Sequence, residues 1–163
     1  MKWPPEAEEC EECGFHWSTP VSEAIDLVVT TTARYPPPAE LAAPRSARAE
    51  GTWSPTQYLW HVVDVLRFGM ERLWALELAP GSLVPSWDEN ELAAFRRYED
   101  LSAEVGARAL AESVAAWRPV AEAAPEQTKI EHPEYGTLSA ADIIRRNSHD
   151  VVHHLRDIEL QLS

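Results

Sequence analysis

His149 and His153 lie four residues apart near the end of the chain. In a helix, positions i and i+4 project from one face about one turn apart, so two imidazoles there can share a single metal ion. Two ligands do not make a site, and a third must come from another element. His61 is the best candidate, because it sits at the edge of an apolar helical arc beside Tyr58, Val65 and Phe68, where a residue faces the rim of a cleft. Three neutral imidazoles on a divalent ion leave at least one coordination position open, as in catalytic rather than closed structural sites. Water or a thiol bound there loses its proton more easily. The competing reading is that such a histidine pair is a solvated helix face and His61 an ordinary hydrogen-bonded histidine. His154 points toward the apolar flank of the same helix and His132 precedes a proline in a turn, so both read as structural.

The acids and bases around these residues offer supporting roles. Asp64 is one turn from His61, while Asp150 and Asp157 neighbour the other two histidines. Each could orient an imidazole from behind the ion, or simply pair along a helix surface. Arg145, Arg146 and Arg156 could bind the carboxylate of a substrate or small thiol, or pair with the abundant glutamates. Cys10 and Cys13 form a C-x-x-C pair with His16 close behind. Such a pair can be a redox couple, half of a zinc site or a tight-turn disulfide. Glu8, Glu9, Glu11 and Glu12 raise a neighbouring thiol's pKa by repulsion, which opposes a redox role. Cys10, Cys13 and His16 have zinc-like spacing, but no fourth ligand can be named from sequence, so a structural or incidental role outweighs a second metal site. Phe15 and Trp17 could dock this arm over the rest of the protein, across the metal cleft.

Pro and Gly punctuation separates an arm over residues 1–18, which includes Trp3-Pro4-Pro5, from a helical domain over residues 19–163. Thr19 reads as an N-cap with Pro20 at the first helical position, and Tyr35-Pro36-Pro37-Pro38 stops the first helix. A polar, Ala-rich connection runs to about Trp53. Ser54-Pro55 starts a second helix over 55–78 whose Leu59, Val62, Val63, Leu66, Met70, Leu73 and Trp74 share one broad arc. A short helix follows near 88–98, and Ser102 caps a third long one that Pro119 should end or kink. Ile130 to Gly136 reads as an extended turn. Ser139 and Asp142 make a capping box for a last helix reaching about Leu160. With no convincing alternating strand, the expectation is an all-α four-helix bundle carrying the arm and one short extra helix.

Composition bounds the function. A chain of 163 residues suits one domain, and 27 acidic against 14 basic residues give a formal charge of -13. That surface repels phosphate backbones and anionic lipid, so neither nucleic acid nor membrane is expected as a partner. No apolar run approaches the roughly 20 residues of a membrane span, and the acidic start lacks a secretory signal. Two cysteines make no disulfide framework, so a cytoplasmic location is expected. No Ser/His/Asp order, phosphate loop or nucleotide fingerprint is present, and no catalytic residue can be assigned.

Four strings resemble the DinB-like metal-binding four-helix-bundle superfamily, which also holds thiol-dependent S-transferases and maleylpyruvate isomerases. They are Cys10-Glu-Glu-Cys-Gly-Phe, Trp53-Ser-Pro-Thr-Gln-Tyr-Leu-Trp-His-Val-Val-Asp-Val-Leu, Pro85-Ser-Trp-Asp-Glu-Asn and His149-Asp-Val-Val-His-His-Leu-Arg-Asp-Ile. The resemblance implies a bundle, often a homodimer, with a zinc, nickel or similar divalent ion at one end. Its metal triad falls on His61, His149 and His153. It implies no single reaction, and the family's DNA-damage name does not imply DNA binding. The leading expectation is a metal-dependent S-transferase that presents a low-molecular-weight thiol to a small-molecule electrophile, or a related hydrolase. The bias toward Arg and Ala suggests a GC-rich genome and, with it, mycothiol as the thiol. The alternative is a noncatalytic bundle, structural or regulatory, whose metal stabilises fold or dimer. A fourth protein ligand from the arm would favour a closed site; three ligands and a water would favour chemistry.

Overall fold

The computed structural model describes residues 7–42 and 52–163. Trp3-Pro4-Pro5 and most of the Ala-rich connection therefore lie outside the described residues. Four long helices form the bundle: α1 (Val21–Thr32), α3 (Pro55–Leu78), α5 (Ala103–Glu122) and α6 (Ala140–Leu162). Short pieces join them, namely α2 (Pro38–Leu41), α4 (Glu89–Phe95) and a 3-10 turn at Tyr98–Asp100. The bundle closes in the order α1, α6, α3, α5, with α5 returning to α1. Among the described residues, no helix is long and apolar enough to cross a membrane.

The helix starts follow local chemistry. Ser54 accepts from the N–H of Gln57 while the Gln57 side chain accepts from the N–H of Ser54, a complete capping box on α3. Ser139 and Asp142 make the same arrangement on α6, and Ser102 caps α5 through the N–H of Val105. The first helix departs from expectation. Thr19 spends its hydroxyl on the carbonyl of His16 at 2.6 Å, so the chain turns there, Pro20 occupies the cap position and α1 begins at Val21. Pro119 does not end α5 either. Only one turn remains beyond it, held by buried Ala121 and by the Ala123 N–H donating to the Pro119 carbonyl at 3.1 Å.

The expected extended turn is a hairpin. Strands β1 (Lys129–His132) and β2 (Gly136–Ser139) pair antiparallel, with His132 opposite Gly136. Buried Ile130 and Leu138 point into the core, and the segment after α3 is tied on through Val84 N–H to Glu131 carbonyl at 2.9 Å. Four-residue strands are too short to show alternation in sequence. The hairpin walls one side of a cleft between α3 and α6.

One polar residue sits in that α3–α6 contact. Asn147 is buried, accepts from the Trp117 indole N–H at 3.0 Å, and sits where α3 has no side chain, at Gly69. A Cβ on Gly69 would lie 2.2 Å from Asn147 Oδ1. Nearby, Ser148 donates to the Ala24 carbonyl at 2.6 Å and Tyr35 to the Val151 carbonyl at 3.0 Å, fixing α6 against the chain's first third. Gly69→Ala should therefore lower unfolding stability by about 2–3 kcal/mol, through overpacking and loss of the Trp117 hydrogen bond. A urea midpoint within error of the parent would show that this contact is loose.

Candidate metal centre

The arm begins as a tight loop built around the cysteines. Gly14 N–H donates to the Cys10 carbonyl at 2.8 Å and Cys10 N–H to the Phe15 carbonyl at 2.9 Å, and Gly14 takes a φ of +71°, which costs glycine little. Trp17 N–H closes the loop on the Glu8 carbonyl at 3.0 Å. Both thiols are thereby presented together. Phe15 is buried and meets the rings of Trp17 and His149 edge-on, at 5.4 and 5.8 Å between centroids. Arg145 pins the loop's end by donating from Nε to the Thr19 carbonyl at 2.8 Å. The arm docks across the histidine face of α6, as its aromatic residues suggested.

Docking brings together residues 136 or more positions apart. One donor atom from each of Cys10, Cys13, His149 and His153 lies within 4.8 Å of the other three. His149 gives Nδ1 to Asp150 Oδ1 at 3.0 Å, which leaves Nε2 for an ion; that atom is buried and has no hydrogen-bond partner among the described residues. His153 Nδ1 stands 3.6 Å from Cys10 Sγ, while its Nε2 faces Asp157 and Glu12, each at 3.6 Å. Both imidazoles thus have a carboxylate behind them and a thiol in front, the usual surroundings of a histidine metal ligand. The S–N separation suits bonds of about 2.3 and 2.0 Å to one tetrahedral ion. Two soft thiols and two imidazoles are a zinc-type donor set.

The electrostatics agree. Burial pushes the Cys13 thiol up, but the neighbouring imidazoles of His149 and His153 outweigh it and bring the pKa down to about 5. Burial likewise opposes charge on His149, yet Asp150 and the thiols raise it to about 10. The Cys13 and Cys10 thiols, against burial, take His153 to about 9. Against burial, hydrogen bonds from the backbone and the imidazoles thus lower both thiols, contrary to the expectation from the acidic neighbours in sequence. Thiols and imidazoles so close favour each other's charged forms, and a cation binding there would displace their protons.

The structure divides the expected histidine triad. His61 belongs to no group of three or more such donors among the described residues. Its ring meets His154 edge-on at 4.7 Å and Trp53 at 5.0 Å. Adjacent residues on a helix point about 100° apart, so His153 faces the arm while His154 faces α3. His154, read as structural from sequence, stacks on Tyr58 and holds Asp157 Oδ2 through Nδ1 at 3.0 Å. His16 stays outside the cluster, exposed and 3.2 Å from Glu9. Asp64 does not orient His61: it is buried and takes Arg96 at 2.7 Å and the Tyr98 hydroxyl. Arg156 pairs with Glu12 and Asp157 on the rim, at 3.3 and 3.2 Å.

Beside the cluster lies a cleft of about 180 Å³, lined among others by His61, Arg72, His132, Arg146, Asp150 and His154. Asp150 links the two, since it also holds His149. Burial, then the charge of His154, lowers the His61 pKa to about 3, and its Nδ1 has no partner among the described residues.

Residues 16–158 match the family model of the DinB superfamily. The chain belongs to the DinB superfamily. Among solved structures, the DinB bundle is similar to YfiT from Bacillus subtilis, described as "a probable metal-dependent hydrolase with an unusual four-helix bundle topology". That likeness has 13% identity and a TM-score of 0.68, covering 98% of this chain and 93% of the other. It is also similar to the mycothiol-dependent maleylpyruvate isomerase, at 19% identity and a TM-score of 0.63, over 85% of this chain. This DinB chain spans only 60% of the isomerase's length. At these identities the likeness speaks for the fold alone. A comparison with curated proteins gives no match.

The buried His61 has a consequence for pH. Its folded pKa lies below the unfolded value of about 6.5, so the unfolded chain binds the extra proton and His61's contribution is lost as pH falls from about 6.5 toward 3. Replacing His61 with Phe should remove about 1.4 kcal/mol per pH unit from the slope of unfolding free energy between about pH 6 and 4. Parallel slopes for parent and variant, from urea unfolding across that range, would show that His61 is accessible to protons in the fold.

Proposed function

We propose that this chain is a metal-dependent enzyme acting on a small molecule, and that its ion is zinc-like and bound by Cys10, Cys13, His149 and His153. One observation carries this reading: a donor atom from each of Cys10, Cys13, His149 and His153 lies within 4.8 Å of the other three, beside a buried His149 Nε2 that has no hydrogen-bond partner among the described residues. A divalent cation fits that set, because two thiolates neutralise it and Asp150 and Asp157 support the imidazoles. When bound, it would supply a cross-link between the arm and α6. The protein donors close its coordination shell, so we assign the chemistry to the adjoining cleft rather than to the ion. There His61 and His154 line the wall and Arg146 brings positive charge. Thiol-dependent transfer, with a cosubstrate such as mycothiol, is the reaction class we favour, and hydrolysis the second; both rest on the relatives described above.

A second reading has its own observation. Four protein donors from two distant segments are what a structural latch requires, so a noncatalytic bundle whose metal fastens the arm is the alternative. Metal analysis tests what the two share. Protein purified without an affinity tag should carry about one divalent ion per chain. Cys10→Ser/Cys13→Ser and His149→Ala/His153→Ala should lose it, His61→Ala should keep it, and a cobalt-loaded sample should show thiolate-to-cobalt charge-transfer bands. Loss of the ion in His61→Ala with retention in the cysteine variant would instead support the three-histidine site.

A further inference from the structure

We propose that Cys10 and Cys13 are a reversible modification site: a hydroperoxide joins them in a disulfide, and that bond expels the ion from the metal centre. The coupling rests on the metal reading, whereas the disulfide itself needs no ion. The two are the chain's only cysteines, and both are free and partly exposed. A turn over residues 11–13 carries the chain from one to the other. The ends of a four-residue turn lie less than about 7 Å apart at Cα, and a disulfide spans about 4.4–6.8 Å. Hydrogen bonds hold the loop in that shape from both sides, Gly14 N–H to the Cys10 carbonyl and Cys10 N–H to the Phe15 carbonyl. The two Sγ atoms already lie within 4.8 Å of each other, so the step asks for side-chain rotation in a loop that is folded.

The chemistry balances with hydrogen peroxide as the oxidant. One thiolate attacks the peroxide, an S–O bond forms as the O–O bond breaks, and the departing hydroxide takes up a proton as water. The second thiolate attacks that sulfur, the S–S bond forms as the S–O bond breaks, and hydroxide leaves as a second water. Two thiols and one peroxide become one disulfide and two waters. A disulfide sulfur carries no charge and is no longer a thiolate ligand. An ion would then keep only His149 and His153, two imidazoles from one helix face. The arm itself stays, because its other anchors involve no sulfur. Phe15 is buried, the Trp17 ring lies 4.5 Å from that of His149, and Arg145 donates to the Thr19 carbonyl at 2.8 Å. Oxidation therefore acts on the cross-link and leaves the fold.

Hydrogen peroxide added to the full chain, followed by intact mass, thiol titration and a chromogenic zinc chelator, tests this. Metal-free protein should lose two hydrogens and both titratable thiols without forming a covalent dimer, and dithiothreitol should restore it. Zinc-loaded protein should give the same product and release about one ion per chain, with unchanged far-ultraviolet circular dichroism. Cys13→Ser should stop at a sulfenic acid that dimedone traps. Oxidation of the parent to sulfinic acid without a disulfide, a covalent dimer in its place, or an oxidised chain that keeps its zinc would overturn the proposal. Lost helix signal would assign the release to unfolding and overturn it as well. A reduced chain that takes up no zinc would instead overturn the metal reading and the coupling with it, while the mass of the metal-free protein still decides the disulfide.

Discussion

A helix can offer two imidazoles to one ion from positions four apart, but it cannot close a four-coordinate shell alone. Further donors must come from elsewhere, and in this protein two thiols from the opposite end of the chain stand beside the two imidazoles. The arm turns tightly enough at Cys10 to Gly14 to place two thiols side by side, and Phe15 and Trp17 seat that turn on α6. Asn147 in the space above Gly69, Ser148 on Ala24 and Arg145 on Thr19 fix the height and rotation of α6.

The same rotation separates two chemistries by one residue. His149 and His153 face the arm, whereas Asp150 and His154 face α3 and the cleft. Asp150 belongs to both, because it holds His149 Nδ1 while lining the cleft. Burial opposes its charge, but His149 and Arg146 keep its carboxyl well below the usual range. A charge held so firmly orients the imidazole on one side and sets the potential of the cleft on the other. Phe15 and Trp17 against His149 seat the arm on α6 by ring packing. An ion bound by the four donors would convert that seat into a cross-link.

Much of this was legible in the sequence because it is local. Ser54, Ser102 and Ser139 announce three helix starts through side-chain caps, and the apolar arc of α3 fixes which side is buried. The resemblance to the superfamily supplied the bundle. The meeting of the cysteines with His149 and His153 was not legible, because no local signal joins Cys10 to His153 across the chain. Glycine after the second cysteine was the available clue to a tight turn, and the glutamates around it obscured the neighbours the fold gives the thiols. The placing of His154 was not legible either: one step along a helix changes the side it faces, and only tertiary packing brings it against His61.

X-ray absorption fine structure at the edge of the bound metal tests the central claim most directly. It reads the ligand atoms themselves, whatever reaction the cleft performs. The account predicts two sulfur neighbours near 2.3 Å and two nitrogen neighbours near 2.0 Å around a four-coordinate ion. A first shell made only of nitrogen and oxygen would contradict it, and would return the ion to a histidine site without the arm.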